Sequence, residues 1–237
     1  MAISSIPRDY RALVAAASLT AGPHLMAIGD LLHPQERMDA AEQMAILLHD
    51  ASRWYAAHLL LFVGMILFIP GLLALSDIAA RRKPAVGYAA RILVLVGTAA
   101  LASIFVGEML VGRFVLDGAD PAAATDLLES MFSGPMLAAV GPALLAFFVG
   151  TAAFAITLVR AGGRPAWPAA IILVGAVFVL AEILTAQVLL SQIGNILVFC
   201  GSATVAWLIL RGTAWETATL PRAQGKAGTA RQRSEGP

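Results

Sequence analysis

Charge is scarce in this sequence. Only 13% of its 237 residues are Asp, Glu, Lys or Arg, against 59% hydrophobic, where a soluble domain carries about 25% charged residues. With a mean hydropathy of +0.80, the composition excludes an ordinary water-soluble domain and places the chain among membrane proteins. The formal net charge of +1 offers no bulk field for an acidic polymer, so no nucleic-acid partner is expected. Cysteine is nearly absent. The single thiol, Cys200, excludes an intramolecular disulfide and a cysteine metal cage. The chain also has no glycine-rich phosphate loop, no nucleophile elbow, no Cys–His pair and no His-Glu-x-x-His motif. The short local signatures of nucleotide, hydrolase and metalloprotease chemistry are therefore missing.

Long apolar runs take their place. A spanning helix needs about 20 mostly apolar residues, and six such runs occur, at roughly 11–32, 53–79, 87–113, 131–159, 167–190 and 193–211. A tight polar turn around SQIGN (191–195) is expected to part the last two. The first run follows Arg8 and Arg11, as a signal peptide would. No small-residue cleavage site precedes the next charged loop, and the run continues past Pro23 to Leu32, so it reads as an uncleaved span. The fold class is all-α: a polytopic six-span domain over 1–211, followed by a tail over 212–237 that lacks periodicity and reads as disordered.

Orientation follows from Lys and Arg. The basic residues gather before span one, between spans two and three (Arg81, Arg82, Lys83), between four and five (Arg160, Arg164) and in the tail. Arg37, Arg53 and Arg113 alone fall on the other side. A bacterial inner membrane with both termini cytoplasmic is the expectation. The longer loops, about 33–52 and 114–130, then face outward. In the first, Met38, Ala41, Met44, Ala45 and Leu48 recur at helical spacing after Pro34, which predicts an amphipathic helix either lying on the outer membrane surface or capping the bundle. The second is acidic, and Asp120-Pro121 is a helix start.

The two halves echo one another. GPHLMAIGDLL (22–32) matches GPMLAAVGPAL (134–144) at six of eleven positions, and ILVLVGTAALA (92–102) matches ILVFCGSATVA (196–206) at six of eleven. A duplicated three-helix unit would make the halves inverted in topology, as in transporters with a site at the repeat interface.

Ionisable residues inside apolar runs are costly and face a bundle interior or cavity. With this threading, His24 and Asp30 in span one, His58 in two, Glu108 in three and Glu182 in five all fall in the outer half of the membrane, with the amides of Gln187, Gln192 and Asn195 above them. They predict one outward-opening polar pocket, with Glu182 and Glu108 as candidate acid–base residues and His24, His58, Asp30 and Gln187 as candidate pocket walls. Plainer readings accompany each: the histidines bonding helix carbonyls, Glu108 paired with Arg113 or Arg53, Glu182 a protonated carboxyl. Two His and two Glu, with His24 and His58 as the metal candidates, suit Zn or Fe in ligand type, and a bis-histidine haem would need His24 and His58 to face each other. Trp54 and Tyr55 read as interfacial aromatics, and His33 and His49 as solvated loop residues.

GPHLMAIGDLLHP (22–34) leading through a polar loop into DASRWYAAHLLLFVGMILFIP (50–70) resembles small six-helix membrane proteins of high-GC bacteria to which no activity is assigned. The resemblance spans residues 10 to 211 and implies membrane location alone. Three functions remain open: binding or translocating a small lipophilic or cationic molecule, intramembrane Glu/His catalysis, and a non-catalytic accessory subunit. Cofactor and oligomeric state stay unassigned.

Overall fold

A computed structural model describes residues 8–35, 37, 39–132 and 134–212. Among the described residues are seven α-helices: α1 (Arg8–Leu32), α2 (Ala40–Ala80), α3 (Pro84–Leu116), α4 (Pro121–Phe132), α5 (Gly134–Ala161), α6 (Ala166–Thr185) and α7 (Val188–Leu210). All but α4 contain a stretch long and apolar enough to cross a membrane. The protein is a multi-pass membrane protein of six spans. The tail beyond 212, and Met38 of the expected amphipathic face, lie outside the described residues.

Local chemistry sets the helix ends. Asp39 caps α2, its side chain accepting from the Ala41 and Glu42 amides. Pro84 opens α3 at its first turn. Asp120 accepts from the Ala122 amide at the start of α4, at the helix start expected there. The α6–α7 corner differs from expectation. Ala186 takes a left-handed conformation (φ 52°) just after Thr185, so the turn is Ala186–Gln187, and the SQIGN segment already lies in the first turns of α7. A left-handed residue stops a helix more decisively than a polar run that can stay helical.

Each spanning helix packs on its chain neighbour, and α7 returns to α1, so the spans form a closed ring in chain order, with α5–α6 its loosest contact. Glycine permits the tightest crossing. A Cβ on Gly64 of α2 would stand 2.8 Å from the Gly22 carbonyl oxygen of α1, so the two backbones touch. Pro70 interrupts α2. Next to it the Ser18 hydroxyl of α1 donates to the Leu67 carbonyl and accepts from the Gly71 amide at 2.7 Å, replacing the helical bond that would join those two groups.

The amphipathic helix expected in the first long loop takes the capping form. It is the first part of α2, bent where Asp50 leaves helical geometry (φ −122°, ψ 29°). Met44, Leu47 and Trp54 pack with Val111 of α3 and with Ala124 and Leu128 of α4 in a small apolar cluster. The buried stripe thus passes through Leu47 rather than the expected Leu48, which is 48% exposed. The bend and the cover from α4 select that face.

Candidate functional site

Inside the ring lies a cavity of about 700 Å³. Its deep wall is apolar but for the Thr151 hydroxyl, with Met65, Phe68, Leu72, Phe154, Ile172 and Val198. Its other end carries Asp30, His33, His58, Glu108, Glu182 and Asn195, a polar crown over an apolar well. From His58 down to Leu72 is about 21 Å along α2 at 1.5 Å per residue. Below Leu72, packed Leu75, Ile78, Leu158, Val205 and Ile209 are each at most 2% exposed, so the cavity is blind towards the end where the basic residues cluster. Its wall also runs out to exposed Ser103 on α3, Met136 on α5 and Ile183 on α6.

Exposed aromatics mark the depth. Tyr10, Tyr88, Trp167 and Trp207 are 50–58% exposed and stand at the basic end of their helices, where the Arg211 guanidinium lies 4.1 Å over the Trp207 ring. Such rings sit at a membrane–water boundary. From Tyr10 to Asp30, and from Tyr88 to Glu108, is about 30 Å of helix rise, the thickness of a hydrocarbon core. Asp30 and Glu108 therefore sit towards the opposite boundary, while Asn195, about 18 Å above Trp207 on α7, lies deeper. Glu182, about 22 Å above Trp167, is the deepest of the acids.

The crown is built around His58, which is 1% exposed. Its Nδ1–H donates to the Trp54 carbonyl at 2.8 Å. Its Nε2 lies 2.7 Å from Glu108 Oε2 and 3.1 Å from His33 Nε2. The His33 Nδ1–H in turn donates to the Pro34 carbonyl at 2.7 Å. A carbonyl only accepts, so both rings carry their proton on Nδ1. Three acceptors then converge: two Nε2 atoms and a carboxylate oxygen. They need a proton among them, and one on His58 Nε2 satisfies both contacts at once. The Trp54 indole closes the cluster, donating to the Glu108 carbonyl at 3.0 Å with its ring 4.9 Å from His33 and 4.5 Å from His58.

The second half of the crown joins α1 to α7. Asn195 donates to the Asp30 carboxylate, and the Gln192 amide donates to the Asp30 carbonyl at 3.2 Å. The segment after α1 crosses the top, where Gln35 donates to the Ala186 carbonyl at 3.1 Å. Burial, and the His58 ring it faces, hold His33 down at about 4 from its ordinary 6.5.

Of the residues singled out from the sequence, Asp30, His58, Glu108 and Glu182 line the one cavity. Gln187 is exposed at the α6–α7 corner. His24 faces away, its exposed ring 5.1 Å from Phe199 of α7. The helix turn separates them: six residues is not a whole number of turns, so His24 and Asp30 project on different faces of α1. Without facing His24, His58 has no bis-histidine haem partner there, and among the described residues no three His, Cys, Asp or Glu side chains are grouped to hold a metal ion. The pairing of Glu108 with Arg113 or Arg53 gives way to His58. Arg113 pairs with Asp117 at 2.7 Å, and Arg53 donates to the Leu32 carbonyl at 2.6 Å.

Two expectations are corrected. His33, read as solvated, is 5% exposed, and Trp54, read as an interfacial ring, is 2% exposed. Trp54 is enclosed by the cluster it forms with α4, and His33 by the Trp54 and His58 rings against which it packs. A signal for His33 was present: it stands three residues after Asp30, on the same helix face, and Pro34 fixes the chain beside it. No known protein-family model, curated protein or solved structure matches this chain.

Proposed function

We propose that the protein is a membrane receptor for one amphipathic small molecule, whose head rests among Asp30, His33, His58 and Glu108 and whose tail fills the well down to Leu72 and Phe154. The observation that carries this reading is the one-ended polarity of a single cavity: ionisable groups at the boundary, hydrocarbon side chains below. Ligand sites of this size are mostly apolar with a few placed polar groups. The basic clusters at the blind end support cytoplasmic termini and, in a bacterial inner membrane, an outward-facing crown. The packed plug below Leu72 favours capture over passage, since translocation needs a second opening. For the inverted repeat, the closed ring of two three-helix sets is supportive. The unequal packing of its matching pairs, close for α1–α2 and loose for α5–α6, weighs on the other side.

A second reading has its own support. The 2.7 Å His58–Glu108 contact at the edge of a cavity is a geometry suited to proton transfer, with Glu108 or Glu182 as acid and His58 as its partner.

The test is native mass spectrometry of protein released from lipid nanodiscs, with extraction of whatever stays bound. A single amphiphile retained by wild type and lost from Ala176→Phe, which fills the well, is the expected result. An empty wild-type cavity that accepts no alkyl-chain probe would overturn the receptor reading.

A further inference from the structure

The crown carries more information than a polar–apolar division, because its carboxylates outnumber its cations. Asp30, Glu108, Glu129 and Glu182 line the cavity, and Arg37 at the mouth is the only Lys or Arg among its lining residues. An anionic head, phosphate or carboxylate, would enter a field of like charge. A cationic head would meet carboxylates, and beside them the buried ring of Trp54 and the half-buried ring of Phe105, whose faces attract ammonium groups. Gln43, 6% exposed, also lines the cavity; it accepts the Arg37 amide through Oε1, and its buried Nε2 has no hydrogen-bond partner among the described residues.

The nearest carboxylate to such a head is already engaged. Glu108 shares a proton with His58, and that proton is the only positive charge the His33–His58–Glu108 cluster holds. The groups that face His58 are Glu108 from α3, His33 from the α1–α2 connection and Asp30 from α1. Farther along the cavity wall stand Glu182 from α6, Glu129 from α4 and Arg37. Arg53 on its own helix acts on His33. α5 and α7 contribute Thr151, Ser191 and Asn195, none of which titrates.

Resting on the receptor reading above, we infer that the ligand is a lipophilic amine or ammonium amphiphile, and that its head binds Glu108 in exchange for the proton shared with His58. The ledger balances. One positive charge enters and one proton leaves through the mouth to water. His58 passes from imidazolium to neutral imidazole with its Nδ1–H still on the Trp54 carbonyl. Its Nε2 and that of His33, left with no proton between them, part to accept from water, and Glu108 passes from a proton partner to an ammonium partner. No bond to carbon is made or broken. Protons and amphiphilic cations compete for one carboxylate, so binding tightens as pH rises.

The experiment is titration calorimetry on the full chain in zwitterionic lipid nanodiscs, with protein-free discs as the blank. The probes are dodecyltrimethylammonium and the neutral dodecanol, each in two buffers of different ionisation enthalpy. The expected result is that the cation binds about tenfold or more tighter than the alcohol, releases close to one proton, and gains about tenfold in affinity per pH unit while the shared proton is bound. Glu108→Gln should abolish the release and the preference together. The pH dependence of wild type alone tests the exchange should that variant fail to fold. Equal binding of both probes without proton release would overturn the exchange and leave the receptor reading standing. Binding of neither probe would overturn both.

Discussion

Replacing His58 by Ala strikes the centre of the crown. His58 is 1% exposed, and the Glu108 side chain that faces it is 11% exposed. Removing the ring leaves the Glu108 carboxylate and His33 Nε2 without their shared proton carrier. Breaking a buried pair from one side costs about 3–5 kcal/mol, because an uncompensated charge is left behind. Glu108→Gln is milder. Its amide still donates to His58 Nε2, so the loss is that of charge assistance, about 1–2 kcal/mol. In the double variant no buried charge is stranded. The two effects should therefore fall short of their sum by about 2 kcal/mol, within the range of contacting pairs. Reversible unfolding in mixed detergent–dodecyl sulfate micelles reads all three values on one scale. A His58→Ala cost below about 1 kcal/mol, additive with Glu108→Gln, would refute the reasoning. It would mean that water, not the ring, already solvates the carboxylate.

Three further outcomes are expected. His33 is held down at about 4 in the fold against 6.5, so between those values the unfolded chain takes up a proton that the fold refuses. His33 then contributes stability that falls as pH drops from 6.5 to 4, by about 3 kcal/mol in all; unfolding midpoints across that window should show a shallower slope in His33→Asn, which keeps a donor for the Pro34 carbonyl. Ser18→Ala removes the bridge at the α2 proline and should cost about 1–3 kcal/mol in the same micelle assay, whereas Thr20→Ala, whose hydroxyl only back-bonds the Ala16 carbonyl of its own helix, should cost less than about 0.5 kcal/mol. In a Cys200→Ser background, Ala123→Cys on exposed α4 should react with an impermeant maleimide from outside whole cells, and Arg164→Cys only after lysis; the reverse pattern would invert the topology.

How far the architecture could be read ahead follows from its physics. Spanning helices announce themselves because hydrocarbon demands about 20 apolar residues and tolerates no unpaired backbone, so six runs became six helices. The α6–α7 corner was misplaced because nothing in Ala186 advertises a left-handed residue, while SQIGN looks like a turn and is a helix start whose Asn195 reaches Asp30. Depth along a helix is a matter of counting, so Asp30, His58 and Glu108 could be set at one level. Rotation about the helix axis is not fixed by counting in a nearly all-apolar span, where the hydrophobic pattern gives little sense of which side faces lipid. That is why His24 was grouped with His58 yet turns outward to Phe199. Trp54 and His33 were misjudged for a related reason. Both lie where a span emerges, and burial there depends on long-range contacts that local sequence does not encode: α4 folding over Trp54, and the Trp54 and His58 rings closing on His33.

The position of the crown resolves an apparent excess of buried charge. Three buried carboxylates, Asp30, Glu108 and Glu182, and two buried imidazoles at the centre of a bilayer would each carry a heavy desolvation cost. Asp30 and Glu108 stand about 30 Å of helix rise from Tyr10 and Tyr88, under a cap of α4 and the start of α2, towards the level at which lipid head groups meet water, with Glu182 deeper. The well below them occupies the level of acyl chains. The ring thus reproduces inside itself the polarity profile of the leaflet outside, and an amphiphile moving from one to the other changes its depth little. Its apolar tail gains little from the transfer, since lipid is as apolar as the well. The difference in affinity must then come from the head. This is why the Glu108–His58 proton, rather than the size of the cavity, should decide what the protein holds.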